Sequence, residues 1–197
     1  MKKIFALSIA AILFTACQMK GSSSNETTQE QALSAPSGSP AESTDSAPSD
    51  SPAEGTAVGC KYIDFSLPGI QGNDIAVSDY VSKNRYTLVD FWASWCPPCR
   101  AEMPTIVKAY AAYHSQGLEV VGVSLDSSRD SWLVSIEQLG MTWPQMSDLK
   151  GWSCQGAKLY NVQSIPANLL IDQQGIIVAK DLRGEELLQK VAELLNQ

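Results

Sequence analysis

The segment from Asp90 to Pro104, DFWASWCPPCRAEMP, constrains the fold of this chain more than any other stretch. An apolar run rich in strand formers leads into two cysteines separated by two prolines, and helical periodicity follows. Proline is tolerated in the first turn of a helix, where backbone N–H groups have no intrahelical partners. The pattern therefore predicts a strand that ends before Cys96 and a helix that begins at the two prolines.

This layout gives the two cysteines different chemical roles. Cys96 falls at the N-terminus of the predicted helix, where unpaired N–H groups and the helix dipole favour a thiolate. Cys99 lies one turn into the helix, on the same face and within disulfide reach. We therefore expect Cys96 to attack and Cys99 to act as the resolving thiol.

From Val58 onwards the pattern predicts one α/β domain. YTLVDFWAS and LEVVGVSLD are apolar runs typical of buried strands, whereas 97–115 and SRDSWLVSIEQLG have helical periodicity. A short hairpin around GIQGND comes first, and a second hairpin, turning at Gln174-Gly175, precedes the amphipathic helix GEELLQKVAELLNQ. This order predicts a central mixed β-sheet with helices on both faces and an N-terminal β-hairpin.

Residues 1–16 have the layout of a secretory signal peptide. Lys2 and Lys3 precede an apolar run that is too short to span a bilayer comfortably, and small residues follow it. From Gly21 to Ala57 the chain is rich in Ser, Pro and Thr and has no aromatic residue, so it cannot bury enough apolar surface to offset chain entropy. We expect residues 17–57 to form a disordered tether and residues 58–197 to form the domain.

Composition argues against several classes of function. The chain of 197 residues has 14 basic and 21 acidic residues, and its net charge of −7 without a dense basic run argues against a nucleic-acid partner. Its five cysteines form no second spaced pair, so neither a disulfide framework nor a complete zinc site is expected. We expect no cofactor and no resident metal. Cys60 and Cys154 are expected to be buried free thiols; the alternatives are that they pair with each other or that Cys154 is a spare thiol. His114 is expected to be a solvated residue at a helix end.

The stretch VDFWASWCPPCRAEMP resembles the active-site segment of the thioredoxin superfamily, and most of all that of the tethered extracytoplasmic thiol-disulfide oxidoreductases of the TlpA/ResA kind. The resemblance covers about Val58 to the C-terminus and implies a thioredoxin-like fold. It also implies that Trp95 flanks the nucleophile and that Pro104 kinks the helix. Ile165 and Pro166 would form a cis-proline loop whose backbone pairs with a substrate chain.

Two acids near the cysteines are candidates for proton transfer. Asp90 stands inside the apolar LVDFW run, where a lone carboxylate is costly unless it is neutral or paired. Because thioredoxins match at this position, we expect Asp90 to be buried, with a raised pKa, and to accept the Cys99 proton; the alternative is a strand acid that faces solvent. Glu102 resembles a glutamate that tunes the cysteine pKa values in tethered reductases; the alternative is an acid that serves the helix dipole.

The residues Phe14-Thr15-Ala16 before Cys17 resemble the lipobox of bacterial lipoproteins. This resemblance implies cleavage before Cys17 and a lipid on its thiol, so that a monomeric domain faces the periplasm from a membrane anchor. In an oxidising compartment, a working reductant needs a dedicated donor. The implied partners are therefore disulfide-bearing envelope proteins and an upstream thiol donor.

Three functions are candidates for the cysteine pair. A disulfide reductase acting through the CPPC motif is favoured. A thiol peroxidase of the AhpC/TSA type shares the fold, but it needs a Thr three residues before its reactive Cys, where Ala93 stands. A tethered metal-binding protein stays open, since Cu(I) accepts two thiolates, although Met103, Met141 and Met146 lack copper-site spacing and are expected in the core or in loops.

Overall fold

The fold is seen in a computed structural model that describes residues 52–196, so the predicted signal peptide, Cys17 and most of the predicted tether lie outside the described residues. The strands are β1 (Ser66–Pro68), β2 (Asp74–Ala76), β3 (Tyr86–Trp92), β4 (Leu118–Ser124), β5 (Gln145–Met146), β6 (Ala167–Asp172) and β7 (Ile177–Lys180). The α-helices are α1 (Ser78–Val81), α2 (Pro97–Tyr113), α3 (Arg129–Gln138), α4 (Gln155–Leu159) and α5 (Gly184–Leu195). Short 3₁₀ turns occupy His114–Gln116 and Gly151–Ser153.

The central sheet is mixed, as the sequence predicts. Its strand order is β5-β4-β3-β6-β7, in which β3 pairs parallel to β4 and antiparallel to β6. The N-terminal hairpin is formed by β1 and β2, which pair antiparallel. All seven residues of β4 are buried, as expected for a central strand whose two faces are both covered.

The two faces of β3 carry different neighbours, because successive side chains of a strand point to opposite faces. Phe91 packs against Tyr160 just beyond α4, with ring centroids 6.1 Å apart. Asp90 lies on the other face, where the charges of Glu102 in α2 and Arg183 before α5 act on it. The cysteine-bearing helix α2 and the helix α5 therefore share the Asp90 face of the sheet.

The helix α2 begins where the CPPC motif predicts. Pro97 and Pro98 occupy its first turn, and Cys96 is the N-cap residue. Its buried side chains follow helical spacing and comprise Cys99, Met103, Ile106 and Ala109. Pro104 lies inside the helix, and His114 follows its last residue, exposed, with Nδ1 3.1 Å from the carbonyl oxygen of Leu118.

A hydrogen bond from Trp92 to Gln145, made possible by the close approach of β4 and β5, holds the end of β3. The indole Nε1 of Trp92 donates a hydrogen bond of 3.1 Å to Oε1 of Gln145. Gln145 pairs with Gly122 in the sheet, and a β-carbon on Gly122 would collide with the Gln145 amide. Only glycine leaves room for this contact, which holds the strand end that leads into the cysteines.

Backbone contacts with the domain extend to residues before Val58, where the sequence prediction placed the domain boundary. Gly55 N donates to Lys61 O at 2.9 Å, and Lys180 Nζ donates to Thr56 O at 2.7 Å. These contacts attach the last residues of the predicted tether to the sheet. Within residues 52–196, no helix has the length and apolar character needed to cross a membrane.

Candidate active site

Cys96 and Cys99 are joined by a disulfide bond at the start of α2, with their Cα atoms 5.3 Å apart. The backbone N–H of Cys99 donates to Sγ of Cys96 at 3.2 Å, so the free N–H end of the helix points at this sulfur. That contact stabilises negative charge on Cys96 when the bond is reduced. Both cysteines are buried, with 3% of Cys96 and 1% of Cys99 exposed.

The loop that carries Cys96 is held by a buried carboxylate that the sequence analysis missed. Asp126 is 1% exposed and lies two residues after the end of β4. Its carboxylate accepts hydrogen bonds from the backbone N–H and the hydroxyl of Ser94, and from the hydroxyl of Ser124 at 2.8 Å. Because β3 and β4 are parallel neighbours, their carboxyl ends meet at one edge, and an acid directly after VVGVSL was the available signal.

The predicted cis-proline loop lies against Cys96. The Ile165-Pro166 peptide bond is cis, as expected. The carbonyl oxygen of Ile165 is 3.7 Å from Sγ of Cys96. The backbone of Ile165 therefore lies directly beside this sulfur.

A second residue missed by the sequence analysis supports this loop. Arg183 Nη2 donates a hydrogen bond to the carbonyl oxygen of Pro166, and Nη1 donates to Leu182 O at 2.8 Å. Leu182 is itself held by the buried side chain of Asn168, which accepts from its N–H at 3.0 Å and donates to its carbonyl at 2.9 Å. The residues around Arg183 thereby join the cis-proline loop to the start of α5.

Asp90 is buried, so the alternative of a strand acid facing solvent is excluded. It is 2% exposed, and its Oδ1 has no hydrogen-bond partner among the described residues. Burial raises the pKa of Asp90 from 3.8 to about 7, while the Arg183 charge lowers it and the Glu102 charge raises it. A carboxyl with this pKa exchanges a proton near neutral pH on the face of the sheet that α2 covers.

Glu102 makes a contact that neither interpretation of the sequence included. Its Oε1 accepts a hydrogen bond of 2.7 Å from the backbone N–H of Gly184, the first residue of α5. The carboxylate thus caps the neighbouring helix as well as lying within the electrostatic range of Asp90. The predicted influence of Glu102 on the cysteine pKa values would act from this contact between α2 and the start of α5.

Trp95, the residue before Cys96, is 50% exposed and lies beside a second tryptophan. The ring centroids of Trp95 and Trp152 are 6.1 Å apart, and Trp152 is 49% exposed. Trp152 was not predicted from the sequence, because it comes 56 residues after Cys96 in a short 3₁₀ turn and belongs to no motif of the active-site segment. The tertiary fold alone brings the two rings together.

Cys60 and Cys154 are free in the structure. Cys154 is buried, as expected, and burial raises the pKa of its thiol. Cys60 is half-buried, which differs from the expected full burial. Residues 52–196 contain no group of three or more His, Cys, Asp or Glu side chains placed to hold a metal ion, while Met103, Met141 and Met146 lie in the core.

The sequence model of the AhpC/TSA family matches residues 58–180. Among curated relatives, the thiol-disulfide oxidoreductase ResA of Geobacillus kaustophilus is 34% identical over 119 residues, which cover 60% of this chain and 66% of that protein. The sporulation thiol-disulfide oxidoreductase A of Bacillus subtilis is 33% identical over 116 residues, covering 57% of this chain and 67% of the relative. The chain thus spans about two thirds of the length of both relatives.

Solved structures with this fold agree with the sequence relatives. A thiol-disulfide oxidoreductase from Bacteroides fragilis matches with a TM-score of 0.64 and 34% identity, over 68% of this chain and 98% of that one. The thioredoxin domain of a thiol-disulfide oxidoreductase from Bacteroides vulgatus matches with a TM-score of 0.66 and 33% identity, over 71% and 99% of the two chains. These matches confirm the predicted thioredoxin-like fold and the predicted class of dithiol–disulfide chemistry.

Proposed function

The chain belongs to the AhpC/TSA family as a thioredoxin-like member of the ResA type, and on that basis we propose that it is a disulfide reductase of the cell envelope. The observation that carries the proposal is the Cys96–Cys99 pair at the N-terminus of α2, with Sγ of Cys96 beside the carbonyl of Ile165. This arrangement combines a stabilised thiolate, a resolving thiol and a backbone edge for a substrate chain.

In the reduced enzyme, the Cys96 thiolate attacks one sulfur of a substrate disulfide. The Cys96–substrate bond forms, the substrate disulfide breaks, and the leaving sulfur takes a proton. Cys99 then loses its proton and attacks the Cys96 sulfur, which releases the second substrate thiol. Two electrons and two protons pass to the substrate, and the enzyme is left with the Cys96–Cys99 disulfide seen in the structure.

Asp90 is the proposed acceptor of the Cys99 proton. Its pKa of about 7 allows it to be neutral or charged at the pH of the reaction, and its free Oδ1 leaves an acceptor site on the α2 side of the sheet. Glu102 and Arg183 adjust this pKa in opposite directions. Proton transfer in a water-poor site needs such a group, because a buried thiolate at Cys99 is costly without one.

The substrate chain is proposed to lie along Ile165 and Pro166, with Trp95 beside the half-cystine that Cys96 attacks. The cis-proline loop presents backbone groups next to Sγ of Cys96, and Arg183 fixes the far side of the loop. Backbone pairing suits disulfides in many sequences, because it does not depend on side chains.

The location rests on the N-terminal sequence. We propose that residues 1–16 are a signal peptide, that Cys17 carries lipid, and that residues 17–57 tether a monomeric domain on the periplasmic side. An upstream thiol donor would re-reduce the pair there. Replacing Cys17 with Ser tests the anchor: the expected result is loss of the acyl mass and of recovery with membranes, and unchanged recovery would overturn it.

The activity is tested by insulin reduction with dithiothreitol as the electron source. The protein is expected to accelerate the reaction, Cys96→Ala to abolish the acceleration, and Cys99→Ser to accumulate mixed disulfides with the insulin chains. Absence of acceleration by the unaltered protein would refute the proposal. Tight stoichiometric Cu(I) binding without exchange would favour the metal-binding alternative instead.

The peroxidase alternative has no support from the site. The residue three before Cys96 is Ala93, which is fully buried and has no hydroxyl to orient a peroxide. Rapid turnover of hydrogen peroxide would nevertheless reverse this conclusion, so the same preparation should be assayed for it.

A further inference from the structure

An exposed aromatic surface continues from the disulfide. Trp95 and Trp152 are each about half exposed, and their ring centroids lie 6.1 Å apart. Both rings stay in contact with water, although aromatic side chains of this size gain substantially from burial. Val134, exposed to a similar extent on α3, belongs to neither this pair nor a pocket beside it.

Trp152 forms one wall of a pocket of about 360 Å³. We name it the Trp152 pocket, and its lining consists of Trp152, Ala157, Lys158, Asn161, Val162 and Gln163. Its volume lies at the lower end of the range of about 300–1,000 Å³ that ligand sites have, which suits one large side chain. Ala157 is 2% exposed, and its small side chain leaves the depth of the pocket open.

The lining of the Trp152 pocket ends close to the cis-proline loop along the chain. Asn161, Val162 and Gln163 line it and also line a second cavity, of about 130 Å³, which extends to Ser164 and Ala167 on either side of Ile165-Pro166. Trp95 meets Trp152 at one end of this lining, and Gln163 at the other end lies two residues before Ile165. A chain paired with Ile165 would carry its neighbouring side chains over this surface.

One residue, Lys158, gives the pocket a positive charge. Lys158 is exposed and forms no salt bridge among residues 52–196, where the two ion pairs are those of Lys150 and Lys190. Lys158 is the one charged residue in the lining of the Trp152 pocket. Such a cation attracts a carboxylate on an approaching chain.

We propose that the Trp152 pocket is a side-chain subsite that makes the enzyme prefer polypeptide disulfides with a large aromatic or aliphatic residue beside the half-cystine and an acidic residue next to it. The proposal deepens the proposed function and rests on it. Trp152 and Trp95 cover the apolar side chain, Lys158 meets the carboxylate, and Ile165 holds the backbone. Small disulfides that lack a side chain for the pocket gain nothing from it.

The test uses the full-length reduced protein and symmetric peptide disulfides in single-turnover assays, with products separated by mass spectrometry. The reference peptide has Phe-Glu after its cysteine, and the others have Gly-Glu or Phe-Gln there. Bis(2-hydroxyethyl) disulfide reports exchange without docking. We expect the Phe-Glu peptide to react about tenfold faster than the Gly-Glu peptide, a difference equivalent to about 1.4 kcal/mol.

Trp152→Ala is expected to remove the tenfold preference for the Phe-Glu peptide over the Gly-Glu peptide, while the rate with the small disulfide stays the same. Trp152→Phe is expected to retain most of that preference. Lys158→Gln should remove only the preference for Glu over Gln. Val134→Ala removes an equally exposed apolar side chain from α3 and should change neither the preference for Phe nor the preference for Glu over Gln.

Two results would overturn the subsite. One is equal rates for the three peptides with the unaltered protein; the other is a loss in Trp152→Ala that is the same for every peptide and for the small disulfide. Failure of the unaltered protein to react with the small disulfide would instead refute the proposed function, and the subsite with it.

Discussion

Arg183 donates a hydrogen bond to the carbonyl oxygen of Pro166, at the back of the loop whose preceding carbonyl, that of Ile165, lies 3.7 Å from Sγ of Cys96. The same guanidinium lowers the pKa of the buried Asp90. One side chain therefore connects the proposed substrate loop with the proposed proton acceptor.

Arg183→Gln is expected to move the pKa of Asp90 upward from about 7, because it removes the one charge that opposes desolvation there. Arg183→Lys keeps the charge and serves as the matched control. Carboxyl-carbon NMR titration of the disulfide form measures the change directly. An unchanged pKa of Asp90 in Arg183→Gln would show that the guanidinium does not act on this carboxyl.

Asp90→Asn should alter the pH dependence of stability. Folding raises the pKa of Asp90 from 3.8 to about 7, so the folded state binds the extra proton between those values. Stability from this group is fully present below about pH 4 and is lost as pH rises towards 7, by about 1.4 kcal/mol per pH unit at most. The neutral amide avoids that loss, so the unfolding free energy of Asp90→Asn relative to the unaltered protein should rise by about 2–3 kcal/mol between pH 5 and pH 7.

Urea unfolding of the disulfide form at both pH values measures this difference. Asp130→Asn is the control, because Asp130 is exposed on α3. A difference between the Asp90 variant and the unaltered protein that does not depend on pH would contradict the raised pKa.

Glu102 offers a matched pair of substitutions. Glu102→Gln keeps an oxygen that can accept from Gly184 N but removes the charge, whereas Glu102→Ala removes both. Loss of a capping contact of this kind costs about 1 kcal/mol, so only the Ala variant should lose that much stability in urea unfolding. Both variants should lower the pKa of Asp90, since the Glu102 charge raises it. Equal stability of the two variants would exclude the capping role.

Asp126→Ala is expected to destabilise the domain by about 3 kcal/mol, because it leaves the N–H and hydroxyl of Ser94 without their buried acceptor. Ser94→Ala removes only the hydroxyl contact and should cost about 1 kcal/mol. The exchange rate of Cys96 should fall in Asp126→Ala as its loop loosens. Thermal unfolding and single-turnover kinetics measure the two effects, and a fully active, stable Asp126→Ala would show that the loop is held by other contacts.

Local patterns accounted for much of the fold. The apolar β3 and β4 runs, the prolines at the start of α2 and the turn at Gly175 each express a preference of neighbouring residues, and each was predicted within a few residues. The cysteine pair and the cis Ile165-Pro166 bond followed from a motif and a family resemblance. Burial of Asp90 was predicted from one acid in an apolar strand together with the resemblance to thioredoxins at that position.

Local sequence was enough to predict the strand–CPPC–helix unit, the order of the elements and the identity of the redox pair, because these depend on residues close together in the chain. Which distant side chains surround that pair depends on the folded chain. Asp126 holds the loop across the parallel strands, Glu102 caps α5, Arg183 reaches the cis-proline loop, and Trp152 meets Trp95. Such contacts join residues that no local periodicity relates, since packing of the sheet and its helices brings them together.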